Sequence, residues 1–312
     1  PLPLSPEAFV QLLTQRYRLR ERTSVPMPAP PRPSGAPVVE LERLEYSYDG
    51  RNPALRGVDL TIHEGEMLAI LGRNGAGKTS LIKHLIGLLQ PDRGRVAVLG
   101  QDVAHTPTHT LARQVGFCFQ NPNHQLVAFK VRDEIAFGLR AHAVDPAEFE
   151  PRTREALESV GMSGSEEAQI FDLGKGQRQR LALASGLALR PRILVIDEPT
   201  TGQDPTMAQE IFEILKSLNE QGTTVIVVTH KVDLAAAYCS RAVVMAEGRI
   251  DFDGSFPELL TDPERMRRLS LEPPETTRLA AMLAPYGVPP WISTFEQLSD
   301  ALRTLVEPTD GD

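Results

Sequence analysis

The sequence is short of cysteine, of basic excess and of long apolar runs, and each shortage excludes something. Its two cysteines, Cys118 and Cys239, show no metal-ligand spacing. Two buried or half-buried thiols in a reducing compartment are favoured over a disulfide. Lysine and arginine total 33 against 41 acidic residues, a net charge of -8. An acidic balance argues against nucleic-acid binding, which usually shows a basic face, and against adhesion to anionic lipid by charge alone; a local basic patch stays open. No apolar stretch reaches the roughly 18 residues that a membrane-spanning helix needs. No internal repeat and no secretory signal is visible. Pro1 stands where an initiator Met would, as in a processed product or a segment of a longer chain. What is present is ordinary globular composition, 41% hydrophobic and 24% charged over 312 residues. That suits one large or two modest domains with a real core.

Residues 5–20 carry Phe9, Val10, Leu12, Leu13 and Tyr17 near helical spacing. Residues 25–37 hold six prolines, which forbid regular structure and favour an extended linker. A linker joins things, so a domain before Pro1 and a simple N-terminal tail both stay open. The main domain is expected over residues 38–255, with strands at Val38–Tyr48 and Val58–Ile62. Met67–Leu71, Ile193–Ile196 and Thr224–Val228 are short apolar runs, as buried parallel strands should be. Helices are expected at Lys78–Leu89 and Met207–Glu220. This alternation predicts an α/β fold, a parallel-rich sheet covered on both faces. A separate helical lobe is expected within residues 121–187, mostly over Asp145–Leu187. The C-terminal extension, 256–312, breaks into helical pieces such as Thr276–Ala284 and Phe295–Leu305.

Gly72-Arg73-Asn74-Gly75-Ala76-Gly77-Lys78-Thr79, followed by Ser80, fits the phosphate-loop pattern at every position and lies between a predicted strand and a predicted helix. Glycines let the backbone curl so that its N–H groups converge on phosphate oxygens, and the helix adds its positive end. Lys78 places a point charge on the β- and γ-phosphates, and the Thr79 hydroxyl suits Mg²⁺. The apolar run Ile193–Ile196 ends in Asp197 and Glu198, and strand ends of open parallel sheets are where ligands bind. Asp197 can hold Mg²⁺ through water; Glu198 can polarise the water that attacks the γ-phosphate. His230 ends the next strand, placed to sense that phosphate. The competing readings are solvated acids at a strand end and a structural histidine.

The order of these motifs resembles the ATP-binding-cassette (ABC) ATPases over about residues 38–255. The resemblance implies a P-loop ABC cassette with an antiparallel β part beside the parallel sheet. It also implies that ATP and Mg²⁺ are bound by Walker A (Gly72–Thr79) and Walker B (Ile193–Glu198). Gln120 matches the Q-loop, which senses Mg²⁺ and touches a membrane partner. Asp204 matches the D-loop and His230 the switch histidine. Tyr48 stands where the family stacks an aromatic on adenine, against the alternative of a strand residue packed in the core.

One departure matters. The family signature Leu-Ser-Gly-Gly-Gln is Leu173-Gly174-Lys175-Gly176-Gln177 here. The family uses this loop to cap the γ-phosphate bound by the opposite protomer. Losing the serine hydroxyl removes a hydrogen bond to a charged group, worth about 1.5–3 kcal/mol. Lys175 compensates if its side chain turns toward phosphate; otherwise the loop faces a weak or regulatory site in an asymmetric pair. With a single Walker A, a second cassette must come from another subunit, another copy or a missing part of the chain.

The runs Phe119–Val127 and Val131–Leu139, the Tyr46-Ser47-Tyr48-Asp49 start and the tail, Gly248–Gly254 and then Leu271–Ala280, are similar to the energy-coupling-factor (ECF) ATPases of cobalt, nickel and vitamin importers. That implies a peripheral protein on the cytoplasmic face of the membrane, paired with a second ATPase beneath a transmembrane coupling protein near the Q-loop. A separate membrane subunit would bind the micronutrient, and no nucleic acid would be involved. The alternatives are another class of ABC importer and a soluble ABC ATPase of translation or chromosome maintenance. A small-molecule kinase has no reason to carry Gln177-Arg178-Gln179-Arg180 and the Walker B glutamate in this order.

Overall fold

The computed structural model describes residues 6–17, 19, 25–29 and 35–306. Pro30, Pro31 and Pro33 of the proline-rich stretch lie outside the described residues, as do residues 307–312 of the extension. Helix α1 (Pro6–Tyr17) falls within the expected 5–20. The chain continues through β1 (Pro37–Ser47), β2 (Pro53–His63), β3 (Met67–Leu71) and α2 (Lys78–Leu85). Next come β4 (Arg93–Val98), β5 (Gln101–Asp102), α3 (Thr108–Leu111) and β6 (Val115–Cys118). Three longer helices follow, α4 (Val131–Ala141), α5 (Phe149–Ser159) and α6 (Lys175–Leu187). The sheet resumes with β7 (Ile193–Asp197), α7 (Pro205–Glu220), β8 (Thr224–Val228), α8 (Val232–Tyr238), β9 (Arg241–Ala246) and β10 (Arg249–Ser255). The extension holds α9 (Phe256–Leu260), α10 (Pro263–Arg268), α11 (Glu275–Leu283) and α12 (Phe295–Val306).

Two sheets form. One has the order β10-β9-β3-β8-β7-β6, parallel from β9 to β6 with β10 antiparallel at its edge; the other, β2-β1-β4-β5, is wholly antiparallel. The buried runs explain the layering, because alternate residues of a strand point to opposite faces. Leu68 and Ile70 of β3 pack with Leu41, Leu44, Leu81 and Ile82, filling the space toward α2 and the antiparallel sheet. Met67, Ala69 and Leu71 face the other way, onto a core shared with α4 to α7.

Three expectations are corrected or refined. Helix α2 stops at Leu85 rather than Leu89, because Gly87 adopts φ 70° and Leu88 turns to solvent; a glycine of this conformation is a common helix stop. The helices of the expected lobe pack onto the sheet: Leu181, Ala182 and Ala184 of α6 belong to one core with Ile135, Leu157, Cys118 and the sheet residues Leu194 and Ile196. The N-terminal helix and the extension are likewise joined. Val10 and Leu13 of α1 lean on a small third core of Ala280, Leu283, Val288, Ile292 and Leu298. Among the described residues no helix is long and apolar enough to cross a membrane.

Candidate active site

The phosphate-loop segment leaves the end of β3 and enters α2 by a path that only glycine permits at two points. Gly72 has φ 141°, and a Cβ there would lie 2.3 Å from the Met245 carbonyl oxygen; Gly77 has φ 102°, and its Cβ would lie 2.7 Å from that of Ala54. A methyl at either point would force the loop off its neighbours. Lys78 opens α2 almost fully buried, and its Nζ donates to the carbonyls of Gly72 at 2.6 Å and Arg73 at 3.1 Å. Burial lowers its pKa, opposed by the carboxylates of Glu198 and Asp197. Ala76 is buried and does not line the cleft described below.

Asp197 closes β7, with its Oδ2 3.5 Å from Thr79 Oγ1, too long for a strong hydrogen bond. Burial and the neighbouring Glu198 raise its pKa, opposed by Lys78. A hydroxyl facing a carboxylate that is costly to hold ionised is a hard-oxygen donor set, and it fits Mg²⁺. Among the described residues no group of three or more His, Cys, Asp or Glu gathers to hold a metal. A cation at Thr79 and Asp197 would therefore be shared with phosphate oxygens and water, the usual habit of Mg²⁺.

Glu198 adopts φ 47°, uncommon for a residue with a side chain. Such a conformation persists where the surroundings hold it. Here its N–H donates to the Val228 carbonyl at 2.8 Å, tying it to the end of β8. Its Oε2 lies 2.8 Å from His230 Nδ1; the donor depends on the imidazole tautomer. The carboxylate is buried while His230 is half exposed, so the ring reaches from a fixed acid toward the open cleft.

Gln120 follows β6 on an exposed loop that is held from behind. Gln125 accepts the Phe119 N–H at 3.3 Å and donates to Ala182 O at 2.7 Å and Ser185 Oγ at 3.0 Å, fastening the loop to α6. Glu134, buried on α4, accepts the N–H groups of Val127 and Ala128, each at 2.8 Å. Tyr48 is 60% exposed, which removes the core reading. It packs edge-on to Tyr46, and its hydroxyl is 3.2 Å from Ser80 Oγ.

One cleft of about 1320 Å³ is lined by Tyr48, Gly72, Arg73, Asn74, Gly75, Gly77, Lys78, Thr79, Ser80, Gln120, Asp197, Glu198 and His230. It is also lined by residues that motif reading missed: Lys231, Asp233, the segment from Ser270 to Glu275, and Arg278. No spacing rule points from the extension back to the phosphate loop; only the fold brings them together.

The signature positions and Asp204 are not among the residues lining this cleft. Leu173 is buried, and Gly174 precedes α6 with its N–H donated to Gln177 Oε1 at 3.0 Å. Gly176 packs under Met207 of α7. Lys175 Nζ donates to the carbonyls of Thr201 at 2.8 Å and Gly202 at 3.4 Å. Asp204 Oδ1 accepts the Met207 N–H at 3.0 Å, capping α7 ahead of Pro205.

Comparison with known proteins agrees with this geometry. A family model described as ABC transporter matches residues 55–201. A putative ABC transporter ATP-binding protein of Caldanaerobacter subterraneus is 42% identical over 249 residues, 80% of this chain but 44% of that protein. The chain thus spans about half the length of the first curated relatives it matches. The energy-coupling factor transporter ATP-binding protein EcfA1 of Symbiobacterium thermophilum is 42% identical over 281 residues, 86% of this chain and 98% of that one. The solved structure of cbiO1 from Clostridium perfringens, described as part of the ABC transporter complex cbiONQ, superposes with TM-score 0.68 at 32% identity. The match covers 75% of this chain and 94% of that one. A phosphate loop, a buried acid pair and a histidine converge on one cleft, and a relative 42% identical is matched over 98% of its length; the chain belongs to the ABC transporter ATP-binding family, as an ATP-binding cassette.

Proposed function

We propose that this cassette drives an ECF-type importer, hydrolysing Mg·ATP in the cleft while paired with a second cassette beneath a membrane coupling protein. The observation that carries the hydrolytic part is the 2.8 Å contact of Glu198 with His230 at the mouth of a phosphate loop. Lys78 and the loop amides bind the β- and γ-phosphates. Glu198 takes the proton of the attacking water, and His230 orients that carboxylate and faces the γ-phosphate. Mg²⁺, held by Thr79 and Asp197 with Gln120 nearby, would neutralise phosphate charge when bound. The position of the signature loop outside the chain's own cleft supports a second cassette, with each loop serving the opposite nucleotide.

Tyr48, exposed at the cleft edge, stacks on adenine in this reading. Stacking of a base on an aromatic is worth about 1–3 kcal/mol. Tyr48→Ala is therefore expected to weaken ATP affinity about tenfold by fluorescent-nucleotide titration. It should weaken the binding of inorganic triphosphate far less, since only the base is lost.

The transport part is supported by the match to EcfA1 over 98% of that protein's length. It is also supported by an apolar surface formed by the chain that follows the Gln120 loop and the segment before α6. Val127, Phe129 and Phe171 are 66%, 77% and 74% exposed; Phe129 and Phe171 lie side by side at 6.3 Å, with Ile170 N–H donated to Phe129 O at 2.9 Å. Exposed aromatics held together in this way suit a coupling helix, and buried aromatic anchors dominate interfaces. Nothing in the cleft recognises a cargo, so the metal ion or vitamin would be chosen by another subunit. Phe129→Glu with Phe171→Glu is expected to weaken association of the expressed chain with membranes at least about 100-fold, since two buried Phe side chains at roughly 1.5–3 kcal/mol each are lost from the interface. ATP binding should be preserved. Undiminished recovery with membranes would point instead to a cassette that docks elsewhere or works away from the membrane.

A further inference from the structure

We infer that Lys175 is a positioning residue that fastens the segment following Glu198 within its own chain, rather than a ligand for the nucleotide of the opposite cassette. The proposal deepens the hydrolytic reading above and rests on it for its effect on turnover. The variant lysine at the first position of α6 has its ammonium on two backbone carbonyls, Thr201 O at 2.8 Å and Gly202 O at 3.4 Å. Gly202 is shaped for this contact. It adopts φ 67°, and a Cβ there would sit 2.3 Å from Lys175 Nζ, so the ammonium occupies the space that any side chain at 202 would claim.

The fastened turn leads directly to the acid. Thr201 donates its N–H to Glu198 O at 3.3 Å, and Gln203 donates to Thr200 O at 3.2 Å. Glu198 itself holds the left-handed conformation, φ 47°, which persists only where neighbours over-determine it. An ammonium bound to two carbonyls is charge-assisted and stronger than a neutral hydrogen bond. The same helix is held to α7 one and five positions on, by Gly176 under Met207 and by the Arg180–Glu210 ion pair. The start of α6 and the turn into α7 thus form one assembly, and Lys175 is its link nearest the acid. A side chain committed to these carbonyls is not directed outward to a partner's phosphate.

Hydrogen–deuterium exchange on the full chain without nucleotide tests this, comparing wild type with Lys175→Met and Lys175→Arg. Lys175 is exposed, so neither change disturbs the core. The amides of Thr201 and Gln203 are expected to exchange about tenfold faster in Lys175→Met, the effect of losing one hydrogen bond to a charged group. Lys175→Arg should restore most of the protection. In the assembled transporter the Met variant is expected to lose about tenfold in kcat with KM for ATP within about twofold, again recovered by Arg. Unchanged exchange with lost hydrolysis would overturn the proposal and assign Lys175 to the opposite nucleotide; no change in either would overturn it as well. An assembled wild type that fails to hydrolyse ATP would overturn the hydrolytic reading instead, and the nucleotide-free exchange comparison would still decide where Lys175 acts.

Discussion

Glu198→Gln is expected to lower ATP turnover of the assembled transporter at least about 100-fold while leaving ATP affinity within about twofold, the range for removing a general base. The geometry supports a clean separation of the two effects. Glutamine matches glutamate in shape, so it can keep the φ 47° conformation held by the Val228 carbonyl, and its amide can still meet His230. What it cannot do is accept a proton from water. Phosphate binding depends on Lys78 and the loop, which the change does not touch. The variant should therefore accumulate as an ATP-bound pair, seen by nucleotide retention on gel filtration. Unchanged turnover would remove Glu198 from the role proposed here.

Lys78→Met should do the reverse and abolish binding first. The ammonium is buried among the carbonyls of Gly72 and Arg73 and faces Asp197 and Glu198. Replacing it with an apolar chain removes the charge that meets the phosphates and leaves the two carboxylates opposing an incoming anion without offset. A hydrogen bond to a charged group is worth about 1.5–3 kcal/mol, and the repulsion adds to it. An affinity loss of about 100-fold is expected in nucleotide titration, with the folded protein retained. Binding within about twofold of wild type would mean that the triphosphate does not lie along this loop.

How much of this was legible in the sequence depended on how local the deciding contact is. Strand β3, and β7 and β8 apart from Asp197 and Thr224 at their ends, are uninterrupted apolar runs, and their burial on both faces is what such runs require. The phosphate loop, the acid pair and His230 follow those strand ends directly, so their convergence was legible too. The end of α2 was not, because the apolar pattern continues through Leu88 and Leu89 while the stop comes from the conformation of Gly87. Tyr48 was open between core and cleft, since strand alternation does not say where β1 ends; it ends at Ser47. The direction of Lys175 was also out of reach. Residue type gives its charge, but its acceptors are carbonyls of Thr201 and Gly202, well separated along the chain. The entry of Ser270–Glu275 and Arg278 into the cleft is a long-range consequence of the same kind.

These distant contacts give the cassette its coherence. The loop of Gln120 is fastened to α6 through Gln125, and the first residue of α6 is fastened to the turn after Glu198. A chain of hydrogen bonds thus links the surface proposed to meet a membrane partner with the acid proposed to activate water. The most direct test of that account is affinity purification of the tagged full-length protein from detergent-solubilised membranes, with its partners identified by mass spectrometry. The account predicts recovery of an integral-membrane coupling protein together with a second cassette; recovery of ribosomes, of DNA or of no membrane protein would contradict the transport function and leave only the ATPase chemistry standing.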